Sequence, residues 1–379
     1  MSFGDGWFFF AASEAITVLN QAWLLPGVGS YMALAIKAEN LAAMGWALLA
    51  MSGMIVLVDR AFWRPLVAWA ERFKLEESEA ASGPHSLVLD LLRRSRVVAW
   101  LEARGGRLND AIDRVWRRWA PASGRRWDPR WQRRQDLALT VLVAAGLALF
   151  AIQGAAFVLT QVPWREGLRV VGLGGLTLLR VVVVVVLSGL VWTPIGVGIG
   201  LSPRAAHLAQ PAAQVLASFP ANFLFPFVTI AFLRFHLSLE WGSALLMALG
   251  AQWYVLFNTI AGATAIPNDL REMVHNLGVR GWLRWRTLIL PAIFPSWVTG
   301  ALTAAGGAWN ASILAEVVTW GTTRLTARGI GAYITDATAG GDWPRIVLGI
   351  AVMSAYVVGV NRMVWHPLSR LAESRYRLG

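Results

Sequence analysis

The sequence predicts an all-α, polytopic transmembrane protein, in which one complete six-span unit follows the last one or two spans of a second, parallel copy. Three observations predict this fold class. Hydrophobic residues fill 56% of the 379 positions and charged residues only 15%, which is typical of membrane proteins. Long apolar stretches recur along the chain. The last 77 residues also repeat the first 77, without a gap, at an offset of 302.

The repeat is identified by residue types that rarely align by chance. Glycine, tryptophan, tyrosine and proline stay in one register, which indicates two copies of one structural unit. The matched pairs are Gly4 and Gly306, Trp7 and Trp309, Glu14 and Glu316, Gly27 and Gly329, Tyr31 and Tyr333, Trp63 and Trp365, and Pro65 and Pro367. We therefore expect 1–77 to be the C-terminal part of a first unit, 78–135 an Arg-rich linker, and 136–379 the complete unit.

The predicted membrane spans approach the roughly 20 residues that a helix needs to cross a bilayer. In the complete unit they are 137–160, 170–199, 212–233, 241–263, 292–314 and 345–365. The first copy adds 41–61 and a short stub at 3–18.

The distribution of arginine predicts the orientation of these spans. The formal net charge is +12, and many of the arginines lie between Arg93 and Arg134, so the positive-inside rule places the linker in the cytoplasm. Because spans alternate, 266–290 and the C-terminus are also predicted to be cytoplasmic, and 316–344 lies outside. The two copies then share one orientation, related by an axis along the membrane normal. A nucleic-acid-binding patch is the competing interpretation of the arginines, but it would be a short segment tethered between spans.

Several kinds of chemistry are excluded by composition. The chain has no cysteine, and its five histidines are scattered without paired spacing, so we expect no thiol chemistry and no metal site. A P-loop needs a lysine followed by Ser or Thr, whereas Lys37 precedes Ala38 and Lys74 precedes Leu75. We therefore predict no enzyme activity for this chain, with any ATP hydrolysis on a separate polypeptide.

The loop at 266–291 has the pattern of a helix, a tight turn and a second helix. Asn268 or Asp269 is a favourable N-cap, Gly278 suits a left-handed C-cap, and the second helix is predicted from Trp282 to Leu290, ended by Pro291. Residues at helical spacing form one apolar face, namely Leu270, Met273, Val274 and Leu277. Such an element suits docking into a groove of a soluble partner; an amphipathic anchor at the membrane surface is the alternative.

Here the chain resembles the inner-membrane permease subunits of binding-protein-dependent ABC importers. Their cytoplasmic signature is EAA, three residues, Gly, nine residues, then I-x-L-P. This sequence keeps that spacing with Glu272, Gly278, Leu288, Leu290 and Pro291, while Met273 and Val274 replace the alanines and Leu288 the isoleucine. The segments from Gln210 to Phe227 and from Trp63 to Leu66 further resemble fused two-copy permeases of the nitrate, sulfonate and bicarbonate group.

The resemblance implies a function and a set of partners. The loop would be the coupling helix that sits in a cleft of an ATP-hydrolysing subunit, with Leu270, Glu272, Val274, Leu277, Gly278, Leu290 and Pro291 as coupling residues. The chain would move a small, anionic solute across a bacterial inner membrane, using a dimer of ATP-binding subunits, which hold ATP and Mg²⁺, and a periplasmic solute-binding protein. The first copy's own loop would precede residue 1, so we expect either a truncated start or a second membrane subunit. A secondary transporter driven by an ion gradient is the alternative function, and a membrane scaffold without transport is another.

Polar residues within apolar helices are candidates for the substrate path between the two copies. They are Arg180, Asn222, Asn258, Trp309, Asn310 and Ser312. Hydrogen bonding between helices is the alternative role for the amides and the hydroxyl. Arg180 could meet an anionic substrate or extend to the membrane surface. Glu14 and Glu316 are expected to shape the outer gate or to receive a binding protein.

Overall fold

The computed structural model describes residues 12–18, 21–63, 66 and 129–376. Two compact units are distinguished: one comprises Met1–Ser52 with Phe157–Gly379, and the other Gly53–Ala156. The predicted linker at 78–135 lies almost entirely outside the described residues.

The N-terminal described region begins with two short strands, followed by two helices. Its elements are β1 (Ala15–Val18), β2 (Gln21–Leu24), α1 (Val28–Lys37), α2 (Leu41–Val58) and a π-helical turn at Asp59–Trp63. Strands β1 and β2 pair antiparallel, with Ala15 opposite Leu24.

The middle of the chain is helical. Its elements are α3 (Pro129–Gln161), α4 (Trp164–Gly200), α5 (Pro203–Ser218), a 3₁₀ turn at Ala221–Phe223, α6 (Phe225–Arg234) and α7 (Leu239–Thr264). The predicted span at 212–233 is wrong as one continuous helix, because the chain is extended at Phe219 and Pro220 between α5 and α6. Proline lacks an N–H group and disfavours helical geometry in the residue before it.

The C-terminal region contains the 266–291 loop and a second hairpin. Its elements are α8 (Asn268–Asn276), α9 (Gly281–Arg284), a π-helical turn at Trp285–Ile289, α10 (Leu290–Ala315), β3 (Val317–Trp320), β4 (Thr323–Thr326), α11 (Ile330–Gly340), α12 (Trp343–Val360), a π-helical turn at Asn361–Trp365 and α13 (His366–Arg375). The predicted outer loop at 316–344 is therefore largely structured.

The polytopic helical class is confirmed. Among the described residues, five helical segments are long and apolar enough to cross a membrane: Leu41–Phe62, Trp164–Gly200, Leu239–Thr264, Gly281–Ala315 and Trp343–Arg375. The two hairpins are small exceptions to an all-α fold. One of them overlaps the predicted stub at 3–18, which ends in β1 and otherwise lies mostly outside the described residues.

The elements of the N-terminal region return at the offset of 302. Strand β1 corresponds to β3 and β2 to β4; α2 corresponds to α12, and the π-helical turn after α2 to that after α12, each with identical bounds after the shift. Helix α1 corresponds to α11, which is one residue longer. The domain boundaries and the direction of the symmetry axis stay predictions.

The core of the larger unit lies where α4, α7 and α10 pack together. Small residues permit this close approach: a Cβ atom on Gly300 would lie 2.8 Å from the carbonyl oxygen of Tyr254. Ala251, Ala301 and Ala304 are buried in the same cluster. Such packing is characteristic of helices that associate within a membrane, where backbone proximity supplies the van der Waals contact.

Candidate functional site

The 266–291 loop forms the helix, turn and helix that the sequence predicts, with a different start. Helix α8 begins at Asn268 with Pro267 as its N-cap, so neither Asn268 nor Asp269 caps the helix with its side chain. Asp269 instead lies in the first turn, where its negative charge favours the positive end of the helix dipole.

The turn after α8 requires glycine. Gly278 has a φ of 69°, its N–H donates to the carbonyl of His275 at 3.0 Å, and the N–H of Val279 donates to that of Val274 at 3.1 Å. These two bonds define a Schellman motif, which stabilises a helix end through one left-handed residue. The predicted C-cap role of Gly278 is confirmed.

The apolar face of α8 is divided between two environments. Val274 is buried, and Leu270 packs beside it, in a cluster with Val197 and Leu288. Met273 and Leu277 point the other way and are exposed, Leu277 to 69%. The expectation of one uniform docking face is therefore wrong, because the inner residues attach the loop to the membrane helices.

The exposed side of the loop continues into α9. Trp282 is 72% exposed and Leu283 is also exposed. We call Met273, Leu277, Trp282 and Leu283 the outer patch. Large exposed apolar side chains close together indicate an interaction surface.

Pro291 does not end a helix, contrary to the sequence prediction. Helix α9 continues through the π-helical turn at Trp285–Ile289 into α10, with Pro291 in its first turn. Proline is tolerated there because the wider π-helical turn precedes it and the first N–H groups of a helix need no intrahelical acceptor. Leu290 and Pro291 thus join the loop directly to a membrane helix.

A polar pocket of about 460 Å³ is lined by residues of α8, the turn after it and α9. Its lining includes Arg271, Glu272, His275, Arg280 and Arg284. Arg271 donates to the carbonyl of Ala263 at 2.7 Å, at the C-terminal end of α7. Burial first, and then the charge of Arg284, lower the pKa of Arg271. Glu272 is exposed at this pocket, and the loop surface carries more positive than negative side chains.

The candidate substrate-path residues are not gathered at one site. Asn258 donates to the carbonyl of Tyr254 at 2.8 Å, and the Ser312 hydroxyl donates to that of Trp309 at 2.7 Å. Trp309 is buried and stacks on Tyr356 with ring centroids 6.2 Å apart. Both hydrogen bonds run within one helix, α7 for Asn258 and α10 for Ser312, so they are not the bonds between helices that were the alternative role. Asn310 is exposed.

Arg180 forms a buried ion-pair cluster, a third arrangement that neither sequence interpretation included. Its Nη1 lies 2.8 Å from Oε1 of Glu316, its Nη2 lies 2.8 Å from Oε2 of Glu240, and its Nε donates to the carbonyl of Glu240 at 2.7 Å. The Thr177 hydroxyl also donates to Glu316 Oε1 at 2.7 Å. Because both carboxylates compensate the guanidinium charge, Arg180 neither extends to the membrane surface nor presents a free charge to an anion.

Sequence reasoning missed Glu240 and Thr177 as members of this cluster. The sequence did contain one signal: Arg180 lies in a run of valines. An intramembrane cation requires a partner, so this position indicated that a charge partner exists. The separation of Arg180 from Glu316 along the chain gave no indication of which acid it meets.

Asn222 lies in a different place, where the two copies meet. It lines a cavity of about 260 Å³ together with Thr229 and Thr319, facing Gly29 and Met32 of the first copy. The contacts here are reciprocal: β1 contacts α11, and α1 contacts β3. Exchanging equivalent elements converts one contact into the other, as expected for two copies related by a two-fold axis.

Comparison with known proteins bears on the chain segment that contains this loop. The family model described as the binding-protein-dependent transport system inner membrane component matches residues 192–364. Residues 192–364 belong to that family of permease domains. The match includes the whole 266–291 loop, the break between α5 and α6, and the cavity residue Asn222.

Several relatives of the permease domain are named as nitrate, bicarbonate or sulfonate permeases. A nitrate import permease protein from Leptolyngbya laminosa is 27% identical over 195 residues, covering 52% of this chain and 66% of that protein. A bicarbonate transport system permease protein from Synechococcus elongatus is 26% identical over 178 residues, covering 47% and 61%. A putative aliphatic sulfonates transport permease protein from Bacillus subtilis is 28% identical over 165 residues, covering 44% and 55%. The chain thus resembles permeases of this group, and spans less than two thirds of the length of these relatives.

Proposed function

We propose that this chain is a membrane subunit of an ATP-driven ABC importer for a small anionic solute. The observation that carries the proposal is the division of α8 between an inner and an outer face. Leu270 and Val274 attach the loop to the membrane helices, while the outer patch remains exposed. A loop fixed on one side and apolar on the other can transmit the motion of a docked partner to the helices behind it.

The partner would be an ATP-binding subunit, working as a dimer that holds ATP and Mg²⁺. Closure of that dimer would move α8, and with it α10, since the chain is helical from α9 through the π-helical turn into α10. The helices of one copy would then shift against the other, giving alternating access. A periplasmic solute-binding protein would deliver the solute, and the loop would face the cytoplasm of a bacterial cell.

The cavity between the copies supports a substrate path along that seam. Asn222, Thr229 and Thr319 supply amide and hydroxyl groups there, and the chain is non-helical beside them at Phe219 and Pro220. Interrupted helices commonly form solute sites in transporters. The names of the relatives favour nitrate, bicarbonate or a sulfonate as the solute.

Gly278→Val tests the coupling role. The chain would be reconstituted in proteoliposomes with its ATP-binding and solute-binding subunits, and uptake of labelled nitrate, bicarbonate and ethanesulfonate would be measured with and without ATP. A β-branched residue is strained at positive φ, so the turn should distort and ATP-driven uptake should fall at least about tenfold.

Gly340→Val is the matched control, since Gly340 is exposed, has open space around its Cα and lies outside the loop. It should retain uptake. ATP-driven uptake that persists in Gly278→Val would contradict the coupling role, and uptake that needs an ion gradient but no ATP would favour a secondary transporter.

A further inference from the structure

Three arginines come together where α8 turns into α9. Gly278 and Gly281 have φ values of 69° and 54°, and such positive φ values, which glycine adopts readily, permit the tight turn between the two helices. Arg271 from α8, Arg280 from the turn and Arg284 from α9 consequently line the same cavity of about 460 Å³. We call this cavity the basic pocket.

The basic pocket has an excess of positive charge. Its three arginines are accompanied by one acid, Glu272. Burial first, and then the charge of Arg284, lower the pKa of Arg271, because a like charge nearby disfavours the charged form. An anion between these two guanidinium groups would compensate their repulsion. Arginine binds phosphate oxygens with paired hydrogen bonds, so the side chains of the pocket indicate a phosphate ligand.

Arg271 is held in place by the end of a membrane helix. Its Nη2 donates to the carbonyl of Ala263 at 2.7 Å and to that of Thr264 at 3.4 Å. Its Nε is buried without an acceptor among the described residues. A side chain that is already fixed loses little conformational entropy when it binds a ligand. The position of Arg271 therefore favours binding.

The basic pocket lies where one membrane helix ends and the next begins. Ala263 and Thr264 are the last two residues of Leu239–Thr264, and the next segment that is long and apolar enough to cross a membrane, Gly281–Ala315, starts at the pocket. The ends of spanning helices lie in the polar headgroup region of a bilayer. Lipid phosphates occupy that region, and basic pockets between membrane helices bind them.

We propose that the basic pocket binds a phosphate group, either in the headgroup of an anionic phospholipid or as free phosphate. Arg271, Arg280 and Arg284 attract the phosphate oxygens, and Glu272 weakens that attraction. The cavity volume is within the range of about 300–1,000 Å³ that is typical of small-ligand sites. The residues of the outer patch do not line this pocket. The proposal requires a membrane protein but not ATP-driven transport.

A fluorescently labelled short-chain phosphatidylglycerol serves as the probe. The full chain would be purified in an uncharged detergent, and probe binding would be measured by anisotropy, with labelled phosphatidylcholine as the zwitterionic control. We expect saturable binding of phosphatidylglycerol, at least about tenfold tighter than that of phosphatidylcholine. Calorimetric titration with inorganic phosphate distinguishes the two sources. A lipid site binds the probe but not phosphate, whereas a site for free phosphate gives a saturable heat.

Arg284→Gln and Arg286→Gln are a matched pair of variants. They remove the same charge two residues apart, but only Arg284 lines the basic pocket. Arg284→Gln should weaken binding at least about tenfold, as for loss of one partner of a close charge pair, and Arg286→Gln less than about twofold, because salt screens more distant charges. Glu272→Gln should tighten binding several-fold, since it removes the acid of the pocket. This variant keeps the test valid if Arg284→Gln fails to fold.

Three results would overturn the proposal. They are no binding of either phosphatidylglycerol or phosphate, an equal loss in the two arginine variants, which indicates diffuse charge attraction, and unchanged affinity in Glu272→Gln. If neither probe binds and Arg284→Gln weakens binding of the ATP-binding subunit, an acidic side chain of that partner occupies the pocket instead. None of these measurements involves ATP-driven uptake, so their failure leaves the proposed transport function to its own test.

Discussion

Arg180 Nη1 lies 2.8 Å from Glu316 Oε1, and the two residues join α4 to the C-terminal end of α10. Both side chains are almost completely buried. Glu240 binds the same guanidinium and also accepts from Nε of Arg328 at 2.9 Å. Arg180 therefore joins α4 to α7 and α10, and Glu240 extends the cluster to Arg328, just before α11.

Breaking this pair should strongly destabilise the protein. Arg180→Gln leaves Glu316 buried without a cation, for which the expected loss in free energy of unfolding is about 3–5 kcal/mol. Denaturant unfolding in detergent would measure it. Arg324→Gln is the control, because its pair with Asp336 is exposed and should contribute about 1 kcal/mol or less. Similar losses in the two variants would contradict the special importance of the buried pair.

The two faces of α8 should respond differently to truncation. Val274→Ala removes buried apolar contacts and should cost about 2 kcal/mol of stability. Leu277→Ala removes an exposed side chain, so stability should change by less than about 0.5 kcal/mol, while binding of the ATP-binding subunit should weaken several-fold or more. Thermal unfolding and surface plasmon resonance would separate these effects. If Leu277→Ala binds the partner as tightly as the native chain, the outer patch is not the docking surface.

Gly300 and Gly306 provide a matched test of close packing on one helix. A Cβ atom at Gly300 would lie 2.8 Å from Tyr254 and from Asn258, whereas at Gly306 it would meet nothing within 4 Å. Gly300→Ala should force α7 and α10 apart and cost about 1–3 kcal/mol. Gly306→Ala should be neutral or stabilise by up to about 1 kcal/mol, because alanine favours helix. Equal melting temperatures for the two variants would contradict the proposed packing constraint.

Tyr333 should make stability depend on alkaline pH. Burial, and then its hydrogen bond to Glu166, raise the pKa of Tyr333 above its usual range, because ionisation would place a phenolate beside a carboxylate. This contribution to stability is therefore fully present below the unfolded pKa of about 10, and is lost as the pH rises through the folded pKa.

Unfolding measured between pH 9 and 11.5 should show a smaller alkaline loss of stability in Tyr333→Phe than in the native chain. Tyr31→Phe, the equivalent change in the first copy, controls for removal of a tyrosine hydroxyl. An unchanged alkaline slope in Tyr333→Phe would exclude this explanation.

The turn at Gly278 could be predicted from sequence because its cause is local. A glycine directly after an amphipathic helix supplies the positive φ that ends it. The membrane helices could be predicted for the same reason, since length and apolar composition suffice. The hairpins were missed although Val317–Trp320 is rich in β-branched residues, because the expectation of an all-helical chain led us to interpret 316–344 as a loop.

The direction in which Leu270 and Leu277 face could not be predicted. Both lie on one helical stripe, and only the packing of α8 against α4 and α10 partly buries Leu270 and leaves Leu277 exposed. Likewise, Pro291 begins α10 instead of ending a helix, because the preceding π-helical turn leaves room for a residue without an N–H group.

By itself, the sequence determined that this protein crosses a membrane, contains a repeat at an offset of 302 and carries a helix, turn and helix around Gly278. These properties follow from local composition, spacing and backbone preference. The tertiary structure alone decided that Arg180 pairs with Glu316 and Glu240, and that Glu14 has no equivalent cation among the described residues. Ion pairing depends on which distant segments pack together. The partner of a buried charge can therefore be identified only from the folded structure.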